Sequence, residues 1–390
     1  MFSFRTKLSM LKAILTKNSP LYVQFYVSKY CHQNCKMCNI VESNSDLVPF
    51  ESKNINKIAD NLVKIGAGVV LLTGGEPLLR GDIDKIVKVF KSKGLDVRMQ
   101  SAGLISKKDL LKRCVKNGAR DINISLDSLD EGLSDKINGA KGSWRNAIKS
   151  IALVSKIFPK NNSICALGCV LSPYNIDEIE YLLEFATKIG WWVSLVPAHV
   201  NKSGEVLKFR SQDKSFSFDK KSAIKVSQLI KRLKAMKKEG YLLFDSNDYL
   251  DSMENYVNQG RVTWRENEVC DSPNLYFAIL PDASFAPCCD YRFSEKVYLY
   301  DNKFPKIFNS RKFRQDVDCI TKKCKGCNYG SYPEISLSVR SGSTFWERLL
   351  LNFKSKRVGL KSFSEKELFD LIKRIKGNNS KYYNKIITSK

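Results

Sequence analysis

From about residue 20 to residue 200, short apolar runs alternate with segments whose apolar positions recur every three or four residues. The runs predict strands over 21–27, 69–73, 96–100, 121–126, 164–171 and 192–197. Between them, Ile55, Ile58, Leu62, Val63 and Ile65 fall on one helical face, as do Ile83, Ile86, Val87 and Phe90. Further helices are predicted over 110–115, 144–158 and 176–189, and Gly66, Gly94, Gly118 and Gly190 stand where helices would stop.

Strands that alternate with helices must pair in parallel, because each parallel connection needs a crossover of a dozen or more residues. The stretch is too short for an eight-unit barrel, so a partial (β/α)6 TIM-like barrel or an open doubly wound sheet is expected. In both, ligands sit at the carboxyl ends of the strands. The segment 201–268 is polar and Lys-rich with one amphipathic helix over 223–238, and reads as a helical connector. Residues 269–340 hold a cysteine-rich unit, with an apolar strand over 275–280 and a turn at Pro281-Asp282-Ala283-Ser284. The tail, 341–390, is basic and helical in pattern.

Composition changes this picture in two ways. Twelve cysteines without a secretory signal point to metal binding in a reducing, cytoplasmic setting, not to a disulfide framework. The formal net charge of +25 invites a nucleic-acid or membrane-surface reading. Yet the charge is mostly Lys spread along the whole chain, without interleaved stacking aromatics, so a nucleic-acid partner is not expected. Only two histidines are present, which leaves little room for His-based chemistry. Cys114, Cys165 and Cys169 fall on helix or strand and are expected to be small buried hydrophobes.

The remaining cysteines are grouped. Cys31, Cys35 and Cys38 form a C-x3-C-x2-C run directly after the first strand. Three thiolates on so short a loop can hold three corners of an iron–sulfur cubane and leave one iron open. A structural zinc site would need a fourth ligand to close its tetrahedron, and His32 is too near Cys31 to be the obvious one. One strand later, Gly74-Gly75-Glu76-Pro77 ends the second strand, with two glycines that let backbone approach a ligand.

Together these two motifs resemble the radical S-adenosylmethionine (SAM) superfamily, over about 20–200 for a core and 270–330 for an accessory unit. The resemblance implies a 4Fe–4S cluster on Cys31, Cys35 and Cys38, whose open iron takes SAM, and reductive cleavage of SAM to a 5′-deoxyadenosyl radical that abstracts a substrate hydrogen. It further implies SAM contacts from Gly74, Gly75, Glu76 and Pro77, with Glu76 accepting from the amino group, and from Ser125 and Asp127 at the fourth strand end. Ser101, in Gln100-Ser101-Ala102-Gly103, would bond near cofactor or substrate, or else cap a helix; Val196 would meet the adenine. Met37 stands where relatives carry an aromatic residue.

The later cysteines resemble the SPASM and twitch accessory domains of the same superfamily. Cys270, Cys288, Cys324 and Cys327 match a twitch-like set for a second 4Fe–4S cluster, with Cys319 as a substitute ligand and Cys289 as a packing residue. A zinc ribbon on the same four cysteines is the structural alternative. The implied protein is an oxidoreductase or a maturase of a small molecule or peptide. It would take electrons from a reductant such as flavodoxin or ferredoxin and use the second cluster as an electron relay. An RNA-modifying relative and a non-enzymatic basic metal-binding protein that binds nucleic acid are the competing readings. The segment 1–19 and the stretch from Phe345 to Arg357 both read as basic amphipathic helices, which either pack on their own domain or lie peripherally on an anionic membrane.

Overall fold

The computed structural model describes residues 2–161, 163–202, 207–265 and 270–377, with backbone only at 352–358. Six parallel strands form the core: β1 (Tyr22–Ser28), β2 (Val69–Gly74), β3 (Asp96–Ser101), β4 (Asp121–Ser125), β5 (Cys165–Leu171) and β6 (Trp192–Pro197). Each strand pairs in parallel with the next one in the sequence, with register running from Tyr22↔Val69 at one side to Leu171↔Pro197 at the other. The helices between them bury the predicted stripes, among them Ile58, Leu62, Ile86 and Phe90, against the outer face of the sheet. This is the partial (β/α)6 barrel, with the expected six strands at the expected places.

The cysteine-rich unit departs from the picture of a separate module. Its strand β7 (Tyr276–Ile279) pairs in parallel with β1 and returns antiparallel through β8 (Phe285–Ala286). The sheet order is therefore β6-β5-β4-β3-β2-β1-β7-β8, one continuous sheet. Ala283 makes the β7–β8 turn with φ of 64°, a left-handed conformation that a side chain disfavours, and its N–H bonds to Leu280 O at 2.8 Å.

A partial barrel leaves a gap between its first and last strands. Residues just after Cys327 fill it. Tyr249 donates to both Leu195 O on β6 and Asn328 O, at 3.0 and 2.9 Å. Tyr332, at the start of the helix Ser331–Arg340, donates to Gln24 Oε1 on β1 at 2.8 Å. The chain end of the cysteine unit thus closes the barrel laterally.

In the connector, the helix Lys220–Lys238 is lengthened at its start by a capping box between Asp219 and Ser222. A second helix, Asn247–Gln259, was not signalled by periodicity because its buried side is only Tyr249, Leu250, Ser252 and Met253. At the N-terminus the helix Phe4–Thr16 does form, but it buries Thr6, Ser9 and Ala13 and turns its leucines outward. The predicted tail is helical over Gly342–Val358 and Glu365–Gly377; the side chains of Lys354, Lys356 and Arg357, and residues 378–390, lie outside the described residues.

Candidate active site

At the carboxyl ends of the strands lies a cavity of about 410 Å³, bordered by Cys31, Cys35, Cys38, Met37, Gly74, Gly75, Ser101, Ser125, Asp127 and Val196. Ten of the sequence-predicted residues therefore share one wall. The cysteine loop is stitched to the second strand end by backbone: Gly75 N–H donates to Ser28 O at 2.9 Å and Glu76 N–H to Tyr30 O at 2.7 Å. A Cβ on Gly74 would stand 2.3 Å from Ser28 O, and one on Gly75 2.2 Å from Tyr30 O. Neither approach tolerates a side chain, which explains the paired glycines.

From the other side, Asn34 N–H bonds to Asn138 O at 3.1 Å, and a Cβ on Gly139 would meet Asn34 O at 2.2 Å. Burial pushes the Cys31 and Cys35 thiols up and the Cys38 thiol up to about 11. Each also feels a neighbouring thiol of the three, or a carboxylate, as a like charge that raises it further. Three half-buried thiols that resist ionising together suit a cationic iron–sulfur core, which would neutralise them. Among the described residues no three Cys, His, Asp or Glu converge as a site for a single ion. A cubane does not require that convergence, since each thiolate serves a different iron. His32 does not border the cavity; both its ring nitrogens are buried without a partner.

Two expected contacts lie behind the wall. Glu76 is fully buried and its carboxylate accepts from the Ser101 hydroxyl at 2.9 Å, Ala102 N–H at 2.8 Å and Leu78 N–H at 3.0 Å. Burial raises it to about 7 against the pull of those bonds. Pro77 opens a single 3-10 turn, Pro77–Leu79, and like Glu76 does not border the cavity. Ser101 caps no helix: besides Glu76 it accepts from Gly103 N–H at 3.0 Å, so it braces the turn. Asp127 is buried, accepts from Val170 N–H at 2.7 Å, and is raised by burial to about 6.

Sequence reasoning missed Gln24, Tyr26, Gln100, Asn123, Gly168 and Ser194, all of which border the cavity. A signal was present. Parallel strands covered on both faces read as unbroken apolar runs, so polar residues at alternate positions, Gln24 on β1, Asn123 and Ser125 on β4, mark the lumen. Gly168 makes room for Asn123, whose Oδ1 would lie 2.7 Å from an added Cβ. Cys169 is buried as expected, yet it also borders the cavity.

Across the lumen, Tyr26 is 1 % exposed and its hydroxyl finds no hydrogen-bond partner among the described residues. Burial raises its hydroxyl well above the usual range, and Cys289, Cys288 and Cys38 add to that as neighbouring negative charges. The later cysteines Cys270, Cys288, Cys324 and Cys327 likewise act on one another as neighbouring charges. Burial raises Cys270 to about 12, and its thiol lies 3.0 Å from the Tyr276 hydroxyl. The Cys289 thiol donates to Cys288 and so lowers it, while Cys289 itself is buried, in keeping with a packing residue. Cys319 is exposed on the helix Arg311–Lys323, which argues against its substitution for one of the four. The Cys324–Cys327 loop is clamped by side chains: Trp264 Nε1 donates to Cys327 O and Arg265 to Cys324 O, each at 2.8 Å. Arg210, paired with Asp290 at 3.1 Å, donates to Gly326 O.

Residues 25–186 match the family described as the Radical SAM superfamily. Those residues form a radical SAM domain. Members of that superfamily use a 4Fe–4S cluster and SAM, and the cavity lining of Cys31, Cys35 and Cys38 suits them. The chain is 25 % identical over 281 residues to GTP 3′,8-cyclase of Helicobacter pylori, covering 70 % of this chain and 81 % of that protein. It is 24 % identical to the AdoMet-dependent heme synthase of Methanosarcina barkeri, over 45 % of this chain and 50 % of the relative. It is 31 % identical to Molybdenum cofactor biosynthesis protein 1 of Drosophila melanogaster, over 45 % of this chain and 32 % of the relative. The chain thus spans half or less of the length of those two relatives. Among solved structures, Streptococcus suis SuiB bound to precursor peptide SuiA superposes with a TM-score of 0.60 at 16 % identity, over 87 % of this chain and 77 % of SuiB. The structure of anSMEcpe with bound AdoMet and peptide gives 0.55 at 14 % identity, over 91 % of this chain and 99 % of that one. At these identities the likeness is one of fold. No helix among the described residues is long and apolar enough to cross a membrane.

Proposed function

We propose that this radical SAM enzyme abstracts a hydrogen from a small molecule or peptide, and that Cys270, Cys288, Cys324 and Cys327 hold a second 4Fe–4S cluster that takes up the electron left behind. The observation that carries the reading is that Tyr26, a buried residue of β1 that borders the cavity with Cys38, also feels Cys288 and Cys289 as neighbouring charges. In this reading both cysteine sets serve one substrate cavity. When bound, the first cluster and SAM supply reductive cleavage to a 5′-deoxyadenosyl radical.

The chain's own residues have separable tasks. Cys31, Cys35 and Cys38 would hold the first cluster, and Met37, Gly74 and Gly75 would contact SAM beside it. Glu76 acts indirectly, by fixing the Ser101–Gly103 turn and the backbone of Gly74 and Gly75. Ser125, Asp127 and Val196 would meet the remainder of SAM. Asn123, Gln100, Gln24 and Ser194 offer uncharged hydrogen bonds to a substrate and keep bulk water from the reacting atoms. Loss of one hydrogen atom, then of one proton and one electron, amounts to a two-electron oxidation or a new bond in the product.

A peptide substrate is favoured by the peptides bound in the SuiB and anSMEcpe structures, and a small molecule by the cyclase and heme synthase relatives. A second cavity of about 410 Å³ beside the Cys324–Cys327 loop, bordered by Lys202, Lys214, Lys323 and Lys325, favours an anionic group on either. The units fall at 20–200, 201–268 and 269–340 in this proposal. Anaerobic reconstitution with iron and sulfide counting, followed by an assay for 5′-deoxyadenosine, tests it. About eight irons per chain with reductive SAM cleavage is the expected result; zinc in place of iron rejects it.

A further inference from the structure

The helix Phe4–Thr16 is mounted inside out. Its inner face is polar or small: the Thr6 hydroxyl donates to Gly68 O and the Ser9 hydroxyl to Gly66 O, each at 2.9 Å, and Ala13 is fully buried. Arg5 adds bonds to Ala67 O and Val63 O, each at 2.7 Å. These bonds seat the helix on the backbone of one loop. The opposite face carries Phe4, Leu8, Leu11 and Leu15, which are 77, 51, 54 and 74 % exposed. Their spacing puts them on a single stripe three turns long. Lys7 and Lys12 flank that stripe, one on each side.

The neighbouring helix Gly342–Val358 turns Phe345 and Leu349 inward but also exposes apolar side chains, Trp346 and Leu350, one turn apart and 61 and 63 % exposed. Between the two helices lies an apolar crevice of about 290 Å³, bordered by Met10, Ile14, Phe345 and Leu349. The crevice also touches Tyr22, Val69 and Ile164, at the amino ends of β1, β2 and β5. It therefore opens on the end of the barrel opposite the cysteine cavity. A helix packed for stability alone would turn its leucines inward. Here the polar bonds hold it to the protein and leave the leucines for something else.

We propose that this face docks on an anionic lipid bilayer surface, with the leucine stripe and Trp346 in the interface and the catalytic mouth directed away from it. Charge selects this occupant. Apolar residues flanked by lysines on a chain of net charge +25 match a surface that is apolar beneath and negative above. The inference is independent of the cofactor reading.

The full-length protein is mixed with vesicles of equal phosphatidylglycerol and phosphatidylcholine, or of phosphatidylcholine alone, and floated on a gradient. The test variant, Leu8→Ser with Leu11→Ser, keeps the net charge unchanged, so it separates insertion from bulk electrostatic attraction. Wild type is expected to float with the anionic vesicles and about tenfold less with neutral ones. The variant should lose about tenfold of that binding while its thermal melt, monomer state and SAM cleavage match wild type. If those two leucines prove necessary for folding, Lys7→Glu with Lys12→Glu is read instead, with the same expected loss. Failure of wild type to float, or equal flotation of wild type and variant, overturns the proposal. So does a wild-type dimer that the variant converts to monomer without any flotation, which would assign the stripe to a second copy of the chain.

Discussion

The two cysteine loops are held in opposite ways. The loop carrying Cys31, Cys35 and Cys38 is held mainly through backbone, by N–H to carbonyl bonds at Gly75, Glu76 and Asn34 and by close approaches that only glycine permits, with the Ser211 hydroxyl donating to Lys36 O besides. The loop carrying Cys324 and Cys327 is held by side chains reaching from elsewhere, Trp264, Arg265 and Arg210, with His199 accepting from Asn328 N–H at 2.9 Å. Backbone fastening leaves a thiol loop open toward a cavity with no side chain in the way. Side-chain clamping fixes a loop by anchors drawn from several parts of the fold. The first suits a site that must admit a ligand, and the second a site that need only be kept in place.

The sharpest way to break this contrast is to remove a thiol from each loop. Cys35→Ala should abolish 5′-deoxyadenosine formation, a loss of at least about 1,000-fold. Cys324→Ala should leave SAM cleavage within about threefold while product is lost. Equal loss of SAM cleavage in both variants would end the division of labour between the loops.

The clamp itself is tested by Arg210→Met. Arg210 and Asp290 are 6 and 3 % exposed, and loss of the cation leaves a buried carboxylate with, among the described residues, Tyr329 and the Phe209 N–H as its donors. A destabilisation of about 3–5 kcal/mol is expected by chemical denaturation. For the backbone-held loop, Gly75→Ala should shift the Tyr30 carbonyl and lower SAM cleavage about 100-fold, by displacing the cysteines by about 1 Å. Its melting temperature should move less than that of the Arg210 variant. The smallest effect is expected at the hairpin beside Cys288. Ala283→Gly should relieve the left-handed strain at φ 64° and stabilise the protein by about 1 kcal/mol, with activity unchanged.

Legibility in the sequence follows the same line. Features carried by local chemistry could be read directly: the glycines whose Cβ would collide with a carbonyl, the cysteine spacing, and the alternation of apolar runs with helical stripes. Features that depend on what a side chain meets across the fold could not. Glu76 was expected to face SAM, but its place at the cap of a 3-10 turn directs the carboxylate onto Ser101 and Ala102. The N-terminal helix was legible as amphipathic, but not which face it would present. The Thr6 and Ser9 hydroxyls and the Arg5 guanidinium, which match the carbonyls of Gly68, Gly66 and Ala67, decide that, and those carbonyls are set by the loop leading into β2.

By itself, then, the sequence determined the six parallel strands, the resemblance to radical SAM proteins and the two groups of cysteines, because period, turn chemistry and cysteine spacing act within a few residues. Tertiary structure alone decided that β7 joins the barrel sheet, that the residues after Cys327 close the barrel, and that Tyr26 comes within electrostatic reach of Cys288 and Cys289. Each is a contact between segments more than 200 residues apart in the chain. No local propensity encodes such contacts; they arise when an unpaired edge of β1 and an open barrel side are covered by whatever segment can satisfy their hydrogen bonds.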